Sequence, residues 1–172
     1  VLQAVYAPYA IRSLGLDASG VGITLGAYGA GMIAGALGAP ALGRCCKFGT
    51  MILLGPLAAF AASLMMTATI ALPSGILAGA SFFLFGAGPI VWVISTTTLR
   101  QTVTPNAMLG RVSAIIVTAT FGARPLGAAI GAAVSAGYGI DACLIVSLIG
   151  FFAQFVAILA SAPPRLKALP AT

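Results

Sequence analysis

Few side chains in this sequence could carry out acid–base or nucleophilic chemistry. The 172 residues include no histidine, and the only acidic residues are Asp17 and Asp141. Cys45, Cys46 and Cys143 lack the spacing of a zinc site or of a disulfide framework. No paired carboxylates and no nucleophile with a neighbouring base can be assembled from these residues. We therefore predict a protein that is not an enzyme and that uses no cofactor and no metal.

The residue with the most scope for ligand recognition is Arg124, which lies inside a long apolar stretch. An arginine buried in a membrane costs at least about 2.5 kcal/mol, so it should face a cavity or a partner. Its partner would be an acid outside this sequence, an anionic ligand, or carbonyls freed by Pro125. Alternatively, Arg124 braces the helix at this proline and never meets a ligand. Both interpretations stay open at the level of the sequence.

Three aromatic residues form a second group of candidates for ligand contact. Trp92 is the only tryptophan, and Tyr6 and Tyr9 lie close together in the first apolar segment. Aromatic side chains in membrane proteins also pack in the core or anchor at the membrane interface. We predict that all three line a translocation path, with packing as the alternative.

The composition predicts a membrane protein. Hydrophobic residues make up 60% of the chain and charged residues 6%, whereas soluble domains contain about 25% charged residues. The net charge of +6 comes from eight basic residues that are scattered between apolar blocks. No basic stripe exists for a phosphate backbone to follow, so nucleic acid is excluded as a partner. The lipid bilayer is the expected partner instead.

Apolar segments of membrane length alternate with short polar breaks, which predicts an all-α, polytopic membrane helix bundle that forms a single transmembrane domain. Residues 1–11 are predicted to be the remnant of a helix whose start is missing. Five complete spans are predicted at 20–43, 49–72, 75–98, 112–136 and 140–162.

Two further segments are predicted to lie outside the membrane. Residues 99–111 form a cytoplasmic loop, and residues 163–172 form a cytoplasmic tail. Within the loop, Thr104 followed by Pro105 predicts the start of a short interfacial helix, with a hydroxyl at the N-cap and proline at the first helical position.

The basic residues divide unequally between the two sides of this topology. One side receives six of them: Arg44, Lys47, Arg100, Arg111, Arg165 and Lys167. The other side receives only Arg12, together with both acidic residues. Because loops rich in Lys and Arg stay in the cytoplasm, the six-charge side is predicted to be cytoplasmic.

Glycine is concentrated in the first and fourth complete spans. Within these spans, glycines four positions apart share a helix face. The pairs are Gly22 with Gly26, Gly31 with Gly35, and Gly127 with Gly131. Such faces let two helix backbones approach closely. They are predicted to pack against other helices, either of this chain or of an absent partner.

The stretch 99–113 (LRQTVTPNAMLGRVS) resembles a cytoplasmic loop of the major facilitator superfamily, and it is most similar to the branch of bacterial drug and siderophore exporters. Its fixed points are Arg100, Pro105, Gly110 and Arg111. Residues 121–127 (FGARPLG) resemble the next helix of that branch. Residues 38–49 are similar to the loop between the second and third helices of a half, although the superfamily's acidic residue before Arg44 is absent.

The resemblance implies that the chain is the C-terminal half of a twelve-helix transporter. Such a protein would export a small molecule across the plasma (inner) membrane by alternating access, with its C-terminus in the cytoplasm. Its partners would be lipid, the missing N-terminal half and an unidentified small-molecule substrate. The loop residues Arg44, Arg100, Pro105, Gly110 and Arg111 would then take part in gating. Two other interpretations remain: a membrane scaffold or orphan half that does not transport, and a small transporter that pairs two identical copies.

The charge distribution generates a test of topology. Cys46 should react with a membrane-impermeant thiol reagent from the cytoplasmic side, and Cys143 from near the outer face. Labelling of both cysteines by reagent applied outside intact cells would contradict the assignment.

Overall fold

A computed structural model describes residues 2–161, which fold into six α-helices with no strand among them. The helices are α1 (Leu2–Arg12), α2 (Ala18–Cys45), α3 (Phe48–Ala68), α4 (Gly75–Val103), α5 (Asn106–Tyr138) and α6 (Ile140–Ala160). The helices α2 to α6 are each long and apolar enough to cross a bilayer. The prediction of an all-α, polytopic membrane bundle is thus confirmed. The predicted tail at 163–172 lies outside the described residues.

The helix ends depart from the predicted spans where local hydrogen bonds extend or shorten a helix. Helix α2 begins at Ala18 because the Asp17 carboxylate accepts a hydrogen bond from the backbone N–H of Gly20 at 2.7 Å. Helix α3 ends at Ala68, four residues before the predicted end, and the Thr69 hydroxyl donates to the carbonyl of Met66.

The predicted loop at 99–111, with its separate interfacial helix, is absent from the described structure. Helix α4 continues to Val103, helix α5 starts at Asn106, and only Thr104 and Pro105 join them. Thr104 is the C-cap of α4 and not an N-cap, since its N–H donates to the carbonyl of Arg100 at 3.0 Å. The prediction was wrong because it took the polar residues of this stretch as the sign of a loop. Threonine can remain inside a helix when its hydroxyl donates to a carbonyl one turn earlier, as the Thr102 hydroxyl does to the carbonyl of Thr98.

Helix α4 is the centre of the bundle, and glycine brings it against α2. A β-carbon on Gly31 would collide with the backbone of Phe83, and one on Gly35 would collide with Ala87. In both pairs the two positions differ by 52, so α2 and α4 run parallel in a fixed register. The reciprocal contact is made by Gly86, whose missing side chain leaves room for the backbone of α2. This close approach is the packing that small residues permit in membranes.

The opposite face of α4 packs against α3 in antiparallel orientation. Gly55 faces Trp92, Ala58 faces Gly88, and the Ser81 hydroxyl donates to the carbonyl of Ala62 at 2.7 Å. Helix α6 then packs on α3, where Phe60 lies 5.3 Å from Phe152 and 6.0 Å from Phe155 between ring centroids. Helices α2, α4, α3 and α6 thus form a continuous packed series.

The helix contacts repeat within the chain. The substantial contacts are α2–α4, α3–α4, α3–α6, α5–α6, α1–α5, α1–α6, α1–α2, α2–α3 and α4–α5. Exchanging α1, α2 and α3 for α4, α5 and α6 maps this set onto itself: α2–α4 becomes α5–α1, and α3–α6 stays unchanged. Such a pattern is expected of two related three-helix units, as in transporters built from internal repeats.

Helix α5 is the least packed of the long helices. Its only buried residue is Gly131, whose carbonyl accepts a hydrogen bond from the Cys143 thiol at 3.3 Å. Gly139 alone connects α5 to α6, and its φ of 84° lies in the left-handed region that glycine adopts without strain. A reversal between helices through one residue depends on this conformation.

The three glycine pairs have different surroundings. Gly31 and Gly35 pack on α4, as described, whereas added β-carbons on Gly22 and Gly26 would meet no atom within 4 Å. In the third pair Gly131 is buried, and Gly127 is half-buried. Whether the open faces contact a partner stays a prediction.

The proposed labelling of Cys143 is wrong for the folded chain, because this cysteine is 0% exposed. Tyr138, at the end of α5, is 84% exposed and lies at the same end of the bundle. A cysteine placed at this exposed position tests the topology instead. The variant is Tyr138→Cys in a background with Cys143→Ser, and its cysteine should react with the impermeant thiol reagent from the outer face.

Close packing at Gly31 gives a matched pair of variants on one helix. Gly31→Val should lower the free energy of unfolding by about 1–3 kcal/mol, since the added atoms overlap the backbone of α4. Gly22→Val serves as the control, because it adds the same atoms in open space. The measurement is thermal unfolding of the purified protein in detergent. Equal losses in the two variants would contradict the role of Gly31 in packing.

Candidate functional site

A cavity of about 520 Å³ lies between five of the helices. Its described lining is Leu2 (α1), Tyr28 (α2), Phe82, Phe85 and Pro89 (α4), Ile130 (α5), and Val146, Ser147, Gly150, Phe151 and Gln154 (α6). None of these residues is charged. A cavity of this size falls within the range of small-molecule sites.

Aromatic rings form one wall of the cavity. The ring centroids of Phe85 and Phe151 lie 5.1 Å apart, and those of Phe82 and Phe85 lie 6.5 Å apart. The Tyr6 ring packs edge-on against the Phe82 ring, with 4.3 Å between the ring centroids. The hydroxyl of Ser147 donates to the carbonyl of Cys143, which leaves the Gln154 amide and the Tyr28 hydroxyl as the other polar side-chain groups of this lining. The wall suits apolar or aromatic groups and supplies no acid or base.

Arg124 is exposed and lies on α5, the helix that also supplies Ile130 to the cavity. Its guanidinium carbon sits 4.5 Å from the centroid of the Phe121 ring, one turn earlier on the helix. This distance is that of a cation–π contact, and the Phe121 ring offers no oxygen or nitrogen acceptor to the guanidinium N–H groups. Arg124 itself is not among the residues that line the cavity.

Neither acidic side chain of the sequence can pair with Arg124. Asp141 is in the first turn of α6, beyond the end of α5 at Tyr138. Arg124 lies 14 residues before Tyr138, which is about 21 Å along the helix. Asp17 caps α2 at the same end of the bundle, because Leu16 beside it contacts the start of α4 at Gly75. No acidic side chain of this sequence therefore supplies a counter-charge to Arg124.

Tyr6 and Tyr9 are each 1% exposed, and both hydroxyls have partners. The Tyr6 hydroxyl donates to Thr24 Oγ1 at 2.6 Å, and the Tyr9 hydroxyl shares a hydrogen bond with Thr69 Oγ1 at 2.7 Å. Neither tyrosine lines the cavity. In the described chain they tie α1 to its neighbours, so their role in a path stays a prediction.

Trp92 packs away from the cavity. Its β-carbon occupies the space that a side chain on Gly55 would need, so the residue lies at the α3–α4 contact. Its indole Nε1 is buried and donates to no described atom. Pro89, one turn earlier on α4, lines the cavity in its place.

The predicted gating residues gather at one end of the bundle. Arg44 lies in the last turn of α2 and Arg100 in the last turn of α4. Pro105 precedes the first residue of α5, while Gly110 and Arg111 are exposed in the first turns of that helix. The structure places these residues at the same end of the bundle, and their role in gating stays a prediction.

Sequence reasoning missed the aromatic wall formed by Phe82, Phe85 and Phe151. Every face of a membrane helix is apolar, so no amphipathic pattern marks the inward face. The available signals were Ser147 and Gln154, two uncharged polar residues inside a largely apolar span.

A family model described as transmembrane secretion effector, of the major facilitator type, matches residues 5–171. The chain belongs to this family. No curated protein and no solved structure matches it. Membership in the transmembrane secretion effector family confirms the predicted superfamily and makes this a multi-pass membrane protein of a transporter family.

In this member of the transmembrane secretion effector family, removal of the Tyr6 hydroxyl tests whether Tyr6 stabilises the helix packing or contacts the substrate along the translocation path. Tyr6→Phe should reduce the free energy of unfolding by about 1 kcal/mol, because Thr24 loses its donor. The concentration dependence of transport should not change. Tyr28→Phe is the control for stability, since the Tyr28 hydroxyl bonds to no other described residue. A changed transport profile with unchanged stability in Tyr6→Phe would favour the path role.

Proposed function

We propose that this chain is one six-helix half of a twelve-helix secondary transporter that exports a small molecule by alternating access. The protein would lie in the plasma membrane, with the end that carries Arg44 and Arg100, and the C-terminus, in the cytoplasm. Family membership supports membrane transport. The direction, the coupling and the second half are part of the proposal.

The exposure of Arg124 on α5 carries this proposal. Helix α5 is 33 residues long, yet only Gly131 is buried against the rest of the described chain. A guanidinium near the middle of such a helix would cost about 2.5 kcal/mol or more if it faced lipid. The Arg124 face of α5 is therefore best explained as an interior face that meets protein or a water-filled path. A second half that covers α5 would provide both.

The adjoining cavity supports the small-molecule part of the proposal. Its wall is apolar and aromatic, and Ile130 on α5 places it beside the helix that carries Arg124. A substrate with an apolar body and an anionic or strongly polar group would match these two features together. Such a substrate would also supply the counter-charge that the sequence lacks.

Substitution of Arg124 in the full-length protein tests the proposal. Arg124→Ala should abolish or strongly reduce efflux while expression stays near normal, because the only cation within the span is lost. Arg124→Lys keeps the charge but loses the planar fork of N–H donors. Partial activity of this variant would indicate that the positive charge suffices, and inactivity that the partner needs two hydrogen bonds from one guanidinium. The measurement is efflux of anionic, neutral and cationic fluorescent dyes from cells that depend on the parent protein for export.

Arg12→Ala is the matched control, since it removes an arginine from the end of α1 and leaves the span unchanged. Normal efflux by Arg124→Ala would show that Arg124 is structural. Saturable, ion-driven transport by vesicles that hold only this chain would contradict the two-half arrangement and favour paired identical copies.

A further inference from the structure

Three cations meet where α2, α3 and α4 come together at one end of the bundle, here called the basic end: Arg44, Lys47 and Arg100. Arg44 lies in the last turn of α2, and Lys47 is the N-cap of α3. Arg100 lies in the last turn of α4. The core below them is a small cluster of Ala39, Met51 and Val91, one residue from each of the three helices.

The helix registers place Lys47 and Arg100 at one level along the bundle. Gly55 faces Trp92 across the antiparallel α3–α4 contact. Moving seven residues along each helix toward the basic end brings Phe48 level with Leu99, and therefore Lys47 level with Arg100. The parallel α2–α4 register, with its offset of 52, places Arg44 level with Thr96, one turn before Arg100 on α4. Arg44 lies about one turn deeper on α2.

No acidic side chain can neutralise these cations from within the sequence. Both acids, Asp17 and Asp141, lie at the opposite end of the bundle. The Nε atom of Arg100 is buried and has no hydrogen-bond partner among the described residues. A buried charged donor without an acceptor costs free energy, so an acceptor from beyond the described residues is expected there.

The depth of the site identifies the medium that supplies this acceptor. Helix α3 has 21 residues and is about 31 Å long, which matches the thickness of the hydrocarbon core. Its first residue, Phe48, thus lies at the boundary of the hydrocarbon, and Lys47 and Arg100 lie just beyond, at the level of the lipid phosphates. Arg44 and Lys47 are both exposed.

We propose that Arg100 and Lys47, assisted by Arg44, bind the phosphate of an anionic phospholipid in the leaflet at the basic end. The guanidinium of Arg100 donates to the phosphate oxygens, and the Lys47 ammonium acts as a second point charge. Lipid is favoured over an acidic protein segment because Lys47 lies at the start of α3, and α3 packs on α4 and α6 and not on α5, whose face is assigned to the second half. The site anchors the α2–α3 corner to the membrane surface and goes beyond the proposed transport function.

Native mass spectrometry of the full-length protein in detergent tests this site. The probe is phosphatidylglycerol, with phosphatidylcholine as the zwitterionic comparison. Arg100→Gln and Lys47→Gln should each weaken retention of phosphatidylglycerol about five-fold, the effect of one cation near an anionic lipid surface. Arg12→Gln is the matched control, because it removes a cation from the opposite end, and it should retain phosphatidylglycerol like the parent.

Several results would overturn the proposal. Equal retention of the two lipids by the parent would show that no anionic headgroup is selected. Unchanged phosphatidylglycerol retention in both Gln variants would leave an acidic protein segment as the partner of Arg100. Displacement of the lipid by millimolar inorganic phosphate would identify a site for the free anion. If Arg100→Gln unfolds, Arg100→Lys should retain the lipid, and Lys47→Gln still decides the matter.

Discussion

Close contact between helix backbones is the interaction on which the rest of this structure depends. Lipid tails are as apolar as the side chains they replace, so helices in a bilayer gain little hydrophobic free energy by associating. Dispersion forces at short range must hold them together, and they are strong only when surfaces fit closely. Gly31, Gly35 and Gly86 provide this fit between α2 and α4, and Gly55 and Gly88 provide it between α3 and α4. Helix α4 is consequently fixed on two sides, and it presents the aromatic wall of the cavity from a rigid position.

The charged residues divide the molecule into regions with separate roles. Arg44, Lys47 and Arg100 lie at the basic end, both acids lie at the opposite end, and Arg124 lies along α5. No acidic side chain shares a region with these cations, so none of the acids of the sequence can neutralise them. Lipid phosphate fits the depth of the basic end, whereas a substrate or a second half fits the position of Arg124.

Much of the fold could be predicted from the sequence because membrane length is a strong constraint. The order of the spans followed from apolar segments of about 20 residues, and the small-residue face at Gly31 and Gly35 was visible in their spacing. The short junction at Thr104 and Pro105 could not be predicted. In the sequence, threonines whose hydroxyls bond to their own helix look the same as the polar residues of a loop. The burial of Tyr6 and Tyr9 depends on Thr24 and Thr69, which are distant in sequence and give no local signal. The cavity wall was hidden because lipid-facing and inward-facing phenylalanines look alike.

The two short links of α5 limit how this helix can move. Thr104 and Pro105 tie its first residue to α4, and Gly139 alone ties its last residue to α6. Two extended residues reach only about 7 Å, so the links hold almost no slack. The short links at both ends allow α5 to tilt or to rotate about its axis. A shift of α5 along its axis would instead require α4 or α6 to move with it. Because the glycine contacts hold α4 in place, a rearrangement that repositions Arg124 must be a tilt of α5 or a rotation about its axis, and not a slide along that axis.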